Sequence, residues 1–406
     1  MDEPRSVVVV GGGLAAAKVA QGLREGAFPG AVTVIGEERE LPYARPPLSK
    51  GYLTGSQTQA GLGARPPRWY VENDVDLVLG SPVTALDLDR RTVVTGDRTV
   101  PFDRLVLATG ASPRRLPAAP AGGSVAYLRT IEDAERVRAA LRPGNRIALI
   151  GGGWIGLEVA AAARSAGCSV VVLEANDRPL QRTLGPEVAD VLATLHTTHG
   201  VDLWTGISIA SVRRVRDDVV VRLGDGTSVR VDLVLVGVGA RPNTALAEAA
   251  GLEVSNGVVV DEWLRGSHPG VLAAGDVARA YHPRLGRHVR VEHWDNAVEQ
   301  GLAAARTILG TGGPFDHLPY VFSDQYDVAI EYVGDVGPEG YDDVVLRGDV
   351  AGRVFTAFWV RRGSVVAGMH MNDRDAIGPV RAVVAAGRVD LRALRDPRVP
   401  LGEIAG

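Results

Sequence analysis

The sequence predicts an α/β protein built on two copies of one parallel strand–helix–strand unit, with a small α+β domain after them. Two observations carry that reading. Residues 6–37 read SVVVVGGGLAAAKVAQGLREGAFPGAVTVIGE, and residues 146–174 read RIALIGGGWIGLEVAAAARSAGCSVVVLE. Each runs from an apolar, β-branched stretch through three glycines into an Ala-rich stretch, then back into an apolar run ending on an acid, Glu37 or Glu174. That is the order of strand, turn, helix and parallel strand. Beyond Gly310-Thr311-Gly312-Gly313-Pro314, short strands are expected around 326–334, 342–348, 353–361 and 364–371, then helices over 373–397. Strands followed by helices imply an α+β domain.

The chain has 406 residues, enough for two or three domains, and its 46% hydrophobic content supports sizeable cores. Many glycines (50) and few aromatics (5%) suit an α/β protein rich in tight turns. The net charge of −4 is spread among interspersed residues, which argues against a nucleic-acid partner. Cys168 is the sole cysteine, so neither an intrachain disulfide nor a CxxC redox pair exists. Its place at the entry to an apolar run reads as a small buried residue at a strand start. Met1-Asp2-Glu3-Pro4 leads almost at once into a strand, and no apolar stretch is long enough to span a membrane. A reduced, cytoplasmic protein is expected.

In each repeat the residue types have separate tasks. Gly11 and Gly151 permit the turn, Gly13 and Gly153 lack the Cβ that would block a pyrophosphate, and Ala16 and Gly156 allow close helix–strand packing. The helix N-terminus offers free N–H groups to phosphate. Glu37 and Glu174 stand where a carboxylate accepts hydrogen bonds from a ribose diol. Two dinucleotide-binding, Rossmann-like domains follow. A carboxylate at Glu174 repels a 2′-phosphate and favours NAD(H) over NADP(H), a preference that Arg178 softens.

Val106–Gly110 reads as a buried strand ending in Thr-Gly, and Val234–Asn243 repeats the pattern. Gly270–Asp276 ends in Gly-Asp, and Leu41–Leu53 contains Pro-Pro-Leu-Ser-Lys. With Glu292-His293-Trp294 and Phe322-Ser323-Asp324-Gln325-Tyr326-Asp327, these segments occur in the order found in one family. Over residues 5 to about 345 the chain resembles the oxygenase-coupled, NADH-dependent ferredoxin reductases of the putidaredoxin, rhodocoxin and biphenyl dioxygenase reductase type. These belong to the two-dinucleotide-binding-domain flavoprotein superfamily.

The resemblance implies FAD at the first fingerprint and NAD(H) at the second. For FAD it implies contacts from Gly11, Gly13, Leu14, Ala15, Ala16, Glu37 and Arg45, then from Val83, Ala108, Thr109, Gly110 and Arg129. Gly275, Asp276, Glu292, His293, Trp294 and Phe322 complete that set. For NAD(H) it implies Gly151, Gly153, Trp154, Ile155, Gly156, Glu158, Glu174, Arg182, Gly237, Val238 and Gly239. Lys50 is implied beside the hydride-accepting nitrogen of the flavin, paired with Glu158, and these two are the candidate catalytic residues. Phe322 departs from the tryptophan common in the family.

The implied reaction passes hydride from NADH to FAD and single electrons to a two-iron, two-sulfur ferredoxin, and thence to a cytochrome P450 or ring-hydroxylating oxygenase. Arg279, Arg284, Arg287, His288 and Arg290 read either as a docking patch for an acidic ferredoxin or as a solvated hairpin. Other acceptors (rubredoxin, a quinone, oxygen or a biosynthetic tailoring enzyme) stay open. So does a redox-sensing role like that of apoptosis-inducing factor. A monomer or weak homodimer is expected. His370 lacks metal-ligand partners at suitable spacing and reads as a core or surface histidine. The expected domains are 1–114 with 240–314 for FAD, 115–239 for NAD, and 315–406 at the C-terminal end.

Overall fold

A computed structural model describes residues 4–119 and 125–405. The chain forms two compact units. One contains the chain up to Arg45, Thr58–Ser112 and Ala240–His317; the other contains Pro46–Gln57, Pro113–Gly239 and the chain from Leu318 onward. Residues 113–239 and those from Leu318 onward, read from sequence as parts of separate domains, thus share one unit. The short segment Pro46–Gln57 belongs with them rather than with its neighbours in sequence.

The first unit is centred on a parallel sheet of Val271–Ala273, Arg104–Leu107, Ser6–Val10, Ala31–Ile35 and Val75–Val78, in that spatial order. By position in the chain this is fifth, fourth, first, second, third, the doubly wound arrangement whose direction reverses between the first and fourth strands. Parallel strands are buried on both faces, which explains the unbroken Val7–Val10 run with at most 3% exposure. Each such valine contributes roughly 1.5–3 kcal/mol of burial. Helices Leu14–Glu25 and Trp294–Leu309 pack closely together; a Cβ on Gly301 would lie 2.7 Å from the Ala15 carbonyl oxygen. Two three-stranded sheets, Val83–Asp87 with Thr92–Thr95 and Arg98–Pro101, and Val258–Val260 with Ala278–His282 and Arg287–Val289, also belong to this unit.

In the second unit the parallel sheet runs Val201–Trp204, Ser169–Leu173, Arg146–Ile150, Leu233–Val236, again reversing between its first and fourth strands. Helix Trp154–Ser165 follows its first strand, and Cys168, fully buried, precedes its second. An antiparallel sheet orders Tyr320–Gln325, Val328–Gly334, Ser364–Met371, Val354–Arg361 and Asp343–Asp349. The strand Tyr320–Gln325 precedes the expected ones, which began around 326. The helical stretch expected over 373–397 is divided into Arg374–Ala376, Ile377–Ala386 and Leu391–Arg395, with Leu401–Ile404 beyond. Gly387 at φ +68° ends the longest of these. Among the described residues no helix is long and apolar enough to cross a membrane.

Candidate functional site

In a doubly wound sheet a crevice is expected where the strand order reverses, and the two glycine turns lie at those points. Gly11 sits at φ +124°, and a Cβ there would lie 2.1 Å from the Ala108 carbonyl oxygen; at Gly151, φ +103°, the distance to the Gly237 oxygen would be 2.4 Å. Only glycine lets the first turn pass so near the fourth strand. Gly13 and Gly153 are different. Both have ordinary extended backbone, and a Cβ on Gly13 would meet nothing within 4 Å, while one on Gly153 would reach only the Gly237 oxygen at 4.0 Å. Each caps a twelve-residue helix with no side-chain cap and no acid in the first turn. Unfilled space, free N–H groups and positive dipole together fit the pyrophosphate of a dinucleotide.

Around the first crevice Ala108, Thr109 and Gly110 follow the fourth strand. The Thr109 hydroxyl donates to the Asn243 carbonyl at 2.8 Å, and the Asn243 amide returns a bond to the Thr109 carbonyl at 2.8 Å. Gly275 N–H donates to the Gln300 side chain at 2.9 Å, fixing the turn before Asp276. Arg45 pairs with Glu38, and the Tyr43 hydroxyl donates to the other Glu38 oxygen at 2.6 Å. Burial pulls the Arg45 guanidinium down, but Tyr43, Glu38 and Asp276 outweigh it and leave the pKa raised. Glu38 and Tyr43 were missed from sequence, where Glu37 had drawn the attention; Glu37 is exposed. Leu14 is half-buried; Ala15 and Ala16 are buried in the helix behind the turn, and Val83 is half-buried at a strand start. His293 caps the helix that Trp294 begins, and Trp294 is 39% exposed. Arg290 turns inward to Glu292 and to the Asp276 carbonyl, while Arg284 pairs with Asp316 and Arg279 bonds Ser255. The arginine cluster is therefore partly neutralised by its own unit.

Beside the second crevice Ile155 and Val238 are exposed apolar side chains, 46% and 39%, and Trp154 is half-buried. Gly156 packs its helix close to Gly151, and Gly237 and Gly239 flank Val238. Glu174 differs from expectation. Only 6% exposed, it accepts N–H bonds from Gly152 at 2.6 Å and Asn176 at 2.7 Å. It braces the glycine turn, and a ribose diol would share its remaining lone pairs. Arg178 pairs with Asp190, Arg182 is exposed, and Arg129 is half-buried at the start of a capped helix.

The second unit also holds a buried polar cluster. Lys50 Nζ lies 2.7 Å from Glu158 Oε1, with side chains 18% and 5% exposed. Ser323 donates to the same oxygen at 2.6 Å, and the Ser49 hydroxyl donates to Oε2. Lys50 also lies 5.4 Å from the centre of the Phe322 ring. Ser49 and Ser323 received no role from sequence; polar residues at the buried alternate positions Ser323 and Gln325 of a strand were the available signal. Cys168 Sγ donates to the Arg142 carbonyl at 3.2 Å, and burial raises its pKa. His370, fully buried, lies 2.6 Å from Glu331.

Residues 5–301 match the family described as pyridine nucleotide-disulphide oxidoreductase, and residues 320–405 match the reductase C-terminal family. The chain is 38% identical to putidaredoxin reductase CamA of Pseudomonas putida over 413 residues, covering 100% of this chain and 97% of that one. It is 40% identical to the anthranilate 1,2-dioxygenase system ferredoxin–NAD(+) reductase component of Burkholderia cepacia, covering 97% and 98%. The crystal structure of a covalent putidaredoxin reductase–putidaredoxin complex superposes with TM-score 0.94 at 38% identity, covering 99% and 98%. The chain belongs to the pyridine nucleotide-disulphide oxidoreductase family and, within it, to the ferredoxin–NAD(+) reductases that carry this C-terminal domain.

Proposed function

We propose that the protein is a cytoplasmic FAD-dependent NADH:ferredoxin oxidoreductase serving a monooxygenase or dioxygenase, and acting as a monomer or weak homodimer. The carrying observation is the Lys50–Glu158 pair in a chain of this family whose one cysteine is buried. Without a second thiol, electrons cannot leave through an intrachain dithiol, so the acceptor lies outside the chain. The likeness to oxygenase-system reductases supports a two-iron, two-sulfur ferredoxin.

In this reading Gly11, Gly13 and the helix that begins at Leu14 hold the FAD pyrophosphate, with Arg45, Thr109 and Asp276 around it. Gly151, Gly153 and Glu174 hold NADH, and Ile155 and Val238 give its ring an apolar surface. Bound FAD would supply the coupling between a two-electron donor and a one-electron acceptor. Lys50 would steady negative charge developing on the cofactor, and Glu158 keeps that ammonium in place. Anaerobic mixing with NADH should bleach the flavin absorbance, and a panel of ferredoxins should then reoxidise it one electron at a time. Failure of NADH to bleach the flavin sinks the first half; failure of every ferredoxin, with dye reduction intact, sinks the second.

A further inference from the structure

Behind Glu158 the polar cluster continues away from Lys50. Ser323 Oγ accepts from Gln325 Nε2 at 3.0 Å, and Gln325 Oε1 lies 2.8 Å from His196 Nε2. Ser323, Gln325 and His196 are at most 1% exposed. Donor chemistry allows one arrangement. A carboxylate only accepts, so Ser323 donates to Glu158 and must accept from the Gln325 amide. The Gln325 carbonyl then accepts, and His196 carries its proton on Nε2. Every donor in the chain points toward Glu158.

We propose that Ser323, Gln325 and His196, through a one-way hydrogen-bond chain, and Ser49, by donating directly to the other oxygen, are positioning residues for Lys50 that fix the Glu158 carboxylate. The inference rests on the reading of Lys50 as the cofactor-facing cation. Burial lowers the His196 pKa from 6.5 to about 4, so the chain begins at an uncharged imidazole under ordinary conditions. His196 Nδ1 is buried with no hydrogen-bond partner among the described residues. If the trio only filled space, apolar residues would do so without an unmet polar atom or three desolvated polar groups. What the polar trio adds is direction at Glu158. The strand places Ser323 and Gln325 two residues apart on one face, and helix Gln181–Thr198 delivers His196 beside them.

The test uses the FAD-loaded full chain labelled with ¹⁵N-histidine. The His196 ring should show the neutral Nε2–H tautomer, and its Nε2 signal should move in Glu158→Gln and Ser323→Ala although its own hydrogen-bond partner is Gln325. Ser323→Ala should slow flavin reduction at saturating NADH by about tenfold without changing half-saturation, and Ser323→Thr should restore the rate. Gln325→Met, which keeps the side-chain length, should give the same slowing if Ser323→Ala unfolds. Wild-type reduction rates in both Ser323→Ala and Gln325→Met, or a His196 signal indifferent to Glu158→Gln, overturn the proposal. Lys50→Met separates the two layers. If it leaves flavin reduction unchanged, the cofactor-facing reading of Lys50 fails, whereas the His196 signal still reports on the chain itself.

Discussion

Replacing Gly153 by alanine adds one methyl group at the mouth of the second crevice, and the structure separates its effect on the fold from its effect on the ligand. Gly153 has φ −80° and ψ −179°, open to any residue, and the nearest atom to the new Cβ is the Gly237 oxygen at 4.0 Å. That is van der Waals contact rather than a clash, so stability should change by less than about 1 kcal/mol. The methyl group nevertheless occupies the space assigned to the pyrophosphate. A loss of about 1.4 kcal/mol in affinity, a tenfold rise in KM for NADH, is the expected minimum. Steady-state dye reduction gives the KM, and a urea titration gives the stability. Gly151→Ala supplies the contrast: φ +103° and a 2.4 Å approach to the Gly237 oxygen should cost about 2–3 kcal/mol of stability. Gly13→Ala, whose Cβ meets nothing within 4 Å, should instead lower the flavin bound per chain. An unchanged KM for NADH in a folded Gly153→Ala protein would refute the cradle, and loss of flavin from that variant would reverse the assignment of the two crevices.

Three further outcomes follow from the charged and buried groups. Glu158→Leu strands Lys50 and two hydroxyl donors; because Lys50 keeps 18% exposure, the cost should sit near the low end for a broken buried pair, about 3 kcal/mol by urea titration. His196 binds no proton in the folded state until about pH 4 but does so near 6.5 when unfolded. The folded state therefore loses stability as pH falls from 6.5 toward 4, by about 1.4 kcal/mol per pH unit and about 3 kcal/mol in all. His196→Gln should flatten that acid limb relative to the unsubstituted protein, and a parallel limb would count against a neutral buried imidazole. Ferredoxin-coupled cytochrome reduction should slow as salt rises if the arginine hairpin steers the partner. A flat salt series would leave Arg284–Asp316 and Arg290–Glu292 as internal pairs only.

Both nucleotide crevices were legible in the sequence because their glycines, alanines and apolar runs serve local geometry that recurs at fixed spacing. The Lys50–Glu158 pairing came only from family resemblance, since 108 positions separate the two and nothing local couples them. Ser323, Gln325 and His196 were illegible as a set. Their roles depend on which strand face is buried and on a helix from elsewhere in the chain. Glu174 shows the opposite limit. Its position at the end of the second strand was read correctly, but its use as a brace for Gly152 depends on a backbone approach that spacing cannot reveal.

The excursion Pro46–Gln57 constrains anyone who would recombine these proteins. Its residues lie between two stretches of the first unit in sequence but pack with the second. A chimera cut only at the obvious crossings, near Ser112 and Ala240, would import a foreign Glu158 and His196 while retaining the host's Lys50, Ser49, Ser323 and Gln325. Such a hybrid would carry two mismatched halves of one ion pair. Parts that interchange cleanly must therefore be cut at all five crossings between the units rather than two, with residues 46–57 and those from Leu318 onward travelling with 113–239.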